Sequence, residues 1–129
     1  MEITSKEFND TELITIQGRV DSVEASRLVQ ALEAANHHGN YKLVIDMNQL
    51  EYMSSAGFRA LAEAQRNSKR HKRGQVVLTQ VPAQVYEALE MVGFVEHFNI
   101  FDNVTSALEF AANLSAGNTH TDSPPVPGK

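Results

Sequence analysis

Two adjacent serines, Ser54 and Ser55, followed by Ala56 and Gly57, are the residues of this chain best placed to do chemistry. They close the stretch YKLVIDMNQLEYMSSAGFRAL (residues 41–61), in which an apolar strand passes through a short turn into a helix. A serine at a helix start lies beside unpaired first-turn N–H groups and the positive end of the macrodipole. Its hydroxyl can accept a phosphate without melting the helix, and a partner surface reading that corner is then switched by the added charge. The competing structural role is simpler: one serine caps the helix, and Gly57 lets the helix approach its neighbour. The turn Asn48–Tyr52 follows a buried strand, so the serines sit at the strand's carboxyl end, where α/β folds usually place their sites. Ala56 and Gly57 are small and leave the Ser55 hydroxyl little shielded.

Other chemistries find less support. A nucleophile elbow needs Gly-x-Ser-x-Gly; Gly57 stands two residues after Ser55, but Met53 stands two before it. His37, His38, His71, His97 and His120 show no triad pattern around that serine. His37 and His38 are adjacent, project in different directions and have no carboxylate beside them, so a solvated helix end is expected there and no metal site. The chain contains no cysteine, which removes thiol catalysis, disulfides and thiolate-bound metal. Neither common glycine-rich phosphate loop is present, and no cofactor is expected. Five of the eleven Lys and Arg residues lie between Arg66 and Arg73. Cations at a helix end complement its dipole, and with a net charge of −5 and no interleaved aromatic, nucleic acid is not an expected partner.

Alternating elements must position the serines. Strands are expected near Glu2–Asn9 and Glu12–Gln17, the second closed by Gly18. Asp21 and Glu24 have capping-box spacing, and Ala25, Leu28, Val29, Leu32, Ala35 and Asn36 then share a helical face that Gly39–Asn40 ends. Leu43–Ile45 and Val76–Leu78 are continuous apolar runs, the pattern of strands buried on both faces. Between them, the helix from Ser54–Ser55 places Phe58, Leu61, Ala62 and Gln65 on one side and ends at Gly74. Pro82 suits the first turn of a third helix whose Val85, Leu89 and Val92 share a face until Gly93. A short strand near Phe98–Phe101 and a helix capped by Asp102, carrying Val104, Ala107, Leu108 and Ala111, complete the series. The order predicts an α/β domain over residues 1–113, with a mixed sheet of about five strands, largely parallel after an opening hairpin, covered by about four helices.

Residues 114–129 hold three of the four prolines and no periodicity, and a disordered tail is expected there. The acidic N-terminal stretch has no signal-peptide run, and no segment approaches the ~20 apolar residues that span a bilayer, so a cytoplasmic location without membrane contact is expected.

The run LVIDMNQLEYMSSAGFRAL resembles the signature of the STAS domain, named for sulfate transporters and anti-sigma factor antagonists. The later LTQVPAQVYEALEMVGFVEHFNIFDNVTSALEF is similar to that family's second half, and Gly18-Arg19-Val20-Asp21 matches its opening G-x-hydrophobic-D. The resemblance covers about residues 2–112 and implies a phosphorylation-switched binding module, an anti-sigma factor antagonist, that is not itself an enzyme. It implies two partners: an anti-sigma factor serine kinase of the histidine-kinase-like ATPase fold, and a metal-dependent serine phosphatase that restores binding. Alignment on Gly57 puts the family's phosphorylated serine on Ser55, with Ser54 as the second choice, because Ser54 stands where the family has an aspartate. Asp21, Ser22, Ser54, Ser55, Ala56, Gly57 and Arg59 are then the expected partner-binding residues, Asp21 lying in a loop close to the serine as well as capping its helix. The missing acidic residue at position 54 keeps an alternative open: a constitutive STAS-domain subunit of a signalling or transport assembly, without a phospho-switch.

Overall fold

The computed structural model describes residues 1–71 and 73–115. Its elements run β1 (Glu2–Phe8), β2 (Thr11–Val20), α1 (Ala25–His37), β3 (Lys42–Asp46), β4 (Leu50–Met53), α2 (Ser55–Lys69), β5 (Gln75–Thr79), α3 (Ala83–Met91), a 3-10 turn (Val95–His97), β6 (Asn99–Phe101) and α4 (Val104–Ser115). The sheet order is β1-β2-β3-β5-β6, with β4 paired to β2 off that path. Among the described residues only the β1–β2 hairpin is antiparallel. Asn9 turns that hairpin in the left-handed conformation that asparagine tolerates, φ 58°. The α/β class, the opening hairpin and the parallel remainder are as the sequence predicts.

The continuous apolar runs are buried on both faces because helices cover both sides of the sheet. Leu43, Ile45, Val76 and Leu78 point to a core shared with α1, α2 and α3, while Val44 and Val77 point to a second core under α4. Gln65 sits among the apolar residues of α2 for a specific reason. Val76 precedes the stretch of β5 paired with β6, and the Gln65 amide takes up its backbone N–H at 2.7 Å and its carbonyl at 3.1 Å. The same side chain donates to the His97 carbonyl at 2.6 Å, tying α2 to the turn before β6.

Four expectations are corrected. The polar turn over residues 48–52 contains strand β4, whose Leu50 and Met53 are buried while Glu51 and Tyr52 face out. Gly18 does not close β2; at φ +90° it opens a bulge and the strand continues to Val20, with β3 as its partner up to Thr15 and β4 from Gly18 onward. Helix α4 is capped by Asn103, not Asp102, since Asn103 Oδ1 accepts from Ser106 N at 2.8 Å; Phe101 is held in the α4-side core, and the chain needs two residues to leave it. Pro82 stands one residue before α3, with extended backbone, its carbonyl accepting from Tyr86 N at 2.8 Å. Helix α4 runs to Ser115, and residues 116–129 of the expected tail lie outside the described residues. No helix among the described residues is long and apolar enough to cross a membrane.

Candidate functional site

Strand β2 and strand β4 end together, and their junction makes the serine corner. Val20 pairs with Met53, and the Ser54 N–H donates to the Val20 carbonyl at 2.8 Å, extending the ladder by one bond. Ser54 keeps extended backbone (φ −76°, ψ 168°), while Ser55 is the first residue of α2. The Ser54 hydroxyl accepts from Gly57 N at 3.3 Å, so Ser54 is the N-cap. Ser54 is buried, 7% exposed, whereas Ser55 is exposed. The two hydroxyls therefore divide the roles between them: one is spent on the fold and the other faces outward.

Gly57 explains how the corner can be this tight. A Cβ there would stand 2.5 Å from Met53 Cγ and 3.2 Å from Val20 Cγ1, so only glycine lets the first turn of α2 press onto the strand ends. Of the seven expected contact residues, Asp21, Ser22, Ser55 and Arg59 are exposed and Ala56 is half-buried, while Ser54 and Gly57 support the corner from inside. Arg59 follows Ser55 by four residues, one helical turn along α2.

Asp21 directly follows Val20, which ties its backbone to the start of α2. Its carboxylate accepts from Glu24 N at 2.8 Å and its carbonyl from Ala25 N at 3.0 Å. Half of the expected capping box therefore forms. Glu24 does not reach back to Asp21; it pairs with Arg27 at 2.9 Å instead. A turn over residues 22–24 precedes α1, and it leaves Val23 80% exposed beside Asp21 and Ser22.

Arg19 and Tyr52 belong to this surface and were not visible in the sequence. They are paired across β2 and β4, and the Arg19 guanidinium lies 4.6 Å from the centre of the Tyr52 ring. Residues 48–52 read as a turn, so nothing in their spacing brought Tyr52 to Arg19.

Three of the described histidines, His38, His71 and His97, are engaged elsewhere. His71 stacks on Tyr41 at 3.7 Å between ring centres, and His97 meets Phe94 edge-on at 5.7 Å. His38, at the far end of β2, lies against Glu7 and Glu12, so carboxylates do accompany the His37–His38 pair through the fold. A cleft of about 710 Å³ opens at the carboxyl ends of β5 and β6 between Gln80, Pro82, Tyr86, Phe98 and Asp102; its lining includes neither serine.

The family model described as STAS domain matches residues 2–107. Over 107 residues the chain is 29% identical to a Bordetella bronchiseptica protein, BtrV, provisionally named an anti-sigma factor antagonist, covering 83% of this chain and 91% of that one. Among solved structures, an anti-sigma factor antagonist from Mycobacterium paratuberculosis superposes with TM-score 0.76 at 21% identity, covering 86% of this chain and 93% of that one. The antagonist SpoIIAA in its unphosphorylated form gives TM-score 0.75 at 13% identity over 87% of this chain and 97% of its own. Its phosphorylated form from Bacillus gives 0.66 at 14% identity over 84% and 97%. At these identities the solved structures establish the fold.

Proposed function

We propose, from the premise that the chain belongs to the STAS domain family, that it acts as an anti-sigma factor antagonist whose binding is switched by phosphorylation of Ser55. The observation that carries this reading is the division between the serines: Ser54 is buried and committed to capping α2, while Ser55 is exposed at the first position of the same helix. In the unmodified state Ser55, Ala56, Asp21, Ser22 and Arg59 present a surface to an anti-sigma factor that is also a serine kinase of the histidine-kinase-like ATPase fold. The kinase transfers phosphate to the Ser55 hydroxyl, adding about −1.5 to −2 charge and three acceptor oxygens. The adjoining helix N-terminus accommodates that charge, by ~0.3–1 kcal/mol in exposed geometry. An interface pressed against the same corner does not, so the complex dissociates. A metal-dependent serine phosphatase returns the chain to the binding form. The domain is substrate and switch, the catalytic groups belong to its partners, and the cytoplasm is its expected place of work.

One observation favours a second reading. Position 54 carries serine where the family's switch motif carries aspartate, and a domain that had lost its switch would bind the same surface constitutively, as a subunit of a signalling or transport assembly. Partners captured from native lysate by wild-type and Ser55→Glu bait separate the two. The switch predicts a small ATPase-fold kinase held by wild type and lost with glutamate. Identical partners on both baits, together with binding that ATP does not reverse, overturn it in favour of the constitutive subunit.

A further inference from the structure

The far end of β2 holds a group of side chains that the switch does not use. Glu7 from β1, Glu12 from the start of β2 and His38 from the end of α1 each offer one ligand atom within 4.8 Å of the other two. His38 Nδ1 stands 3.3 Å from Glu12 Oε1 and 3.8 Å from Glu7 Oε2. Asn40 Nδ2 donates to both carboxylates, at 2.8 Å to Glu7 and 2.9 Å to Glu12. Donors held about 2.0–2.2 Å from one tetrahedral cation are themselves about 3.4 Å apart, close to both His38 separations, and rotation of the exposed Glu7 side chain brings its oxygen into the same shell.

We propose that Glu7, Glu12 and His38 form a binding site for a divalent cation of the zinc class, with Asn40 as the fourth ligand. The Asn40 side chain then turns its amide by half a revolution, so that Oδ1 takes the place of Nδ2; the two atoms have nearly the same size and the backbone stays where it is. In the ion's absence the amide N–H groups supply the positive charge between the two carboxylates. With neutral imidazole and amide, the four ligands carry a formal charge of −2, which matches the cation.

The supports of this site are those that metal centres require. Glu12 is 2% exposed, and its second oxygen accepts from Ser5 Oγ at 2.8 Å, which fixes the orientation of the carboxylate. Glu7 and His38, with side chains 53% and 55% exposed, leave the outer side open for an ion to enter. Lys42, the buried cation of this end of the sheet, forms an ion pair with Asp10 at 2.5 Å, so its charge is compensated. The nitrogen donor disfavours magnesium and calcium, which prefer oxygen ligands, and favours zinc, cobalt or nickel. The site stands on its own geometry and is independent of the proposed switch.

Calorimetric titration of the full chain with zinc chloride at pH 7.5 tests the assignment, using wild type, His38→Gln, Glu7→Gln and, as control, His37→Gln. Both altered ligands are exposed, so these variants keep the fold, which far-UV circular dichroism verifies. The expected result is one zinc per chain, weakened at least ~10-fold in His38→Gln and in Glu7→Gln and unchanged in His37→Gln. Absence of binding by wild type at submillimolar zinc overturns the site. So does equal affinity of all four proteins, which would move the ion to other histidines.

Discussion

At its carboxyl end β2 passes Val20's carbonyl to Ser54 and stops beside an exposed, uncharged hydroxyl; at its amino end it carries Glu12, an ionisable side chain, into the interior. The strand spans ten residues, so the two regions lie about 30 Å apart at ~3.3 Å per residue. Around Ser55 the helix start is capped and the strand ladder is closed, so a new charge there disturbs no internal bond. Around Glu12 the charge is already inside, held by Asn40, Ser5 and His38. Charge at the first end is therefore felt by whatever docks, and charge at the second by the fold. Surface exposure alone does not make this distinction; it depends on which hydrogen bonds are already committed.

Phosphorylation of Ser55 gives the largest separation between the two regions. An uncompensated charge at an interface costs ~2–5 kcal/mol, so affinity for the kinase partner should fall by ~30-fold to a few thousand-fold. The urea midpoint of the isolated chain should shift little, because the helix terminus accepts the phosphate. Equal affinity of the phosphorylated and unphosphorylated chains in surface plasmon resonance would remove the switch.

Glu12→Ala should reverse the pattern. It takes away one of the two carboxylates that accept from the buried Asn40 amide, together with the acceptor of the Ser5 hydroxyl, at a cost of about 1–3 kcal/mol in stability. Partner affinity, measured on the remaining folded protein, should stay within about twofold, since distant sites are usually independent. An unchanged urea midpoint would show that the network contributes nothing, and a lost affinity would show that the two ends of β2 communicate.

Acid unfolding sharpens the contrast on the Glu12 side. Burial by itself raises the pKa of this carboxyl, but the hydrogen bonds from Asn40, Ser5 and His38 and the His38 charge together outweigh it and hold the pKa below its ordinary 4.5. A carboxylate whose pKa is lowered by folding contributes stability above the unfolded value, and loses it as pH falls through the folded one. Wild type should therefore lose melting temperature as pH falls below about 4.5, and Glu12→Gln should show a shallower acid limb. Parallel limbs for the two proteins would mean that Glu12 is not held in its ionised form by the fold.

These contrasts were unequally legible in the sequence. The corner at Ser54–Gly57 was readable because its signals are local: an apolar run, a turn, two small polar residues and a glycine within one short segment. Strands β3 and β5 announced themselves by unbroken apolar runs, since helices on both faces leave no polar side. Strand β4 was hidden, because Leu50 and Met53 are separated by two outward-facing residues and their partners lie some thirty positions away in β2. His38 met its carboxylates across separations of 26 and 31 positions, which no local spacing reports. The capping of α4 failed on one residue, Asn103 for Asp102, because both side chains can cap and only the exit of Phe101 from the core decides between them. Local chemistry was visible; long-range pairing was not.

The smallest expected effect is the most diagnostic of the division between the two serines. Ser54→Ala removes the acceptor for Gly57 N and leaves that donor unpaired in a buried place, and loss of such a cap costs ~1 kcal/mol. Ser55→Ala removes an exposed hydroxyl at a first helical position, where alanine is the better helix former, so its stability should change by less than ~0.5 kcal/mol. Guanidinium melts of the two variants then give unequal shifts at one corner, while phosphorylation by the kinase shows the opposite order, retained in Ser54→Ala and abolished in Ser55→Ala. If Ser55→Ala costs as much as Ser54→Ala, both hydroxyls serve the fold and the corner has none to spare for phosphate. If phosphorylation survives Ser55→Ala, the modified residue is Ser54, and the cap itself would have to open for the switch to be thrown.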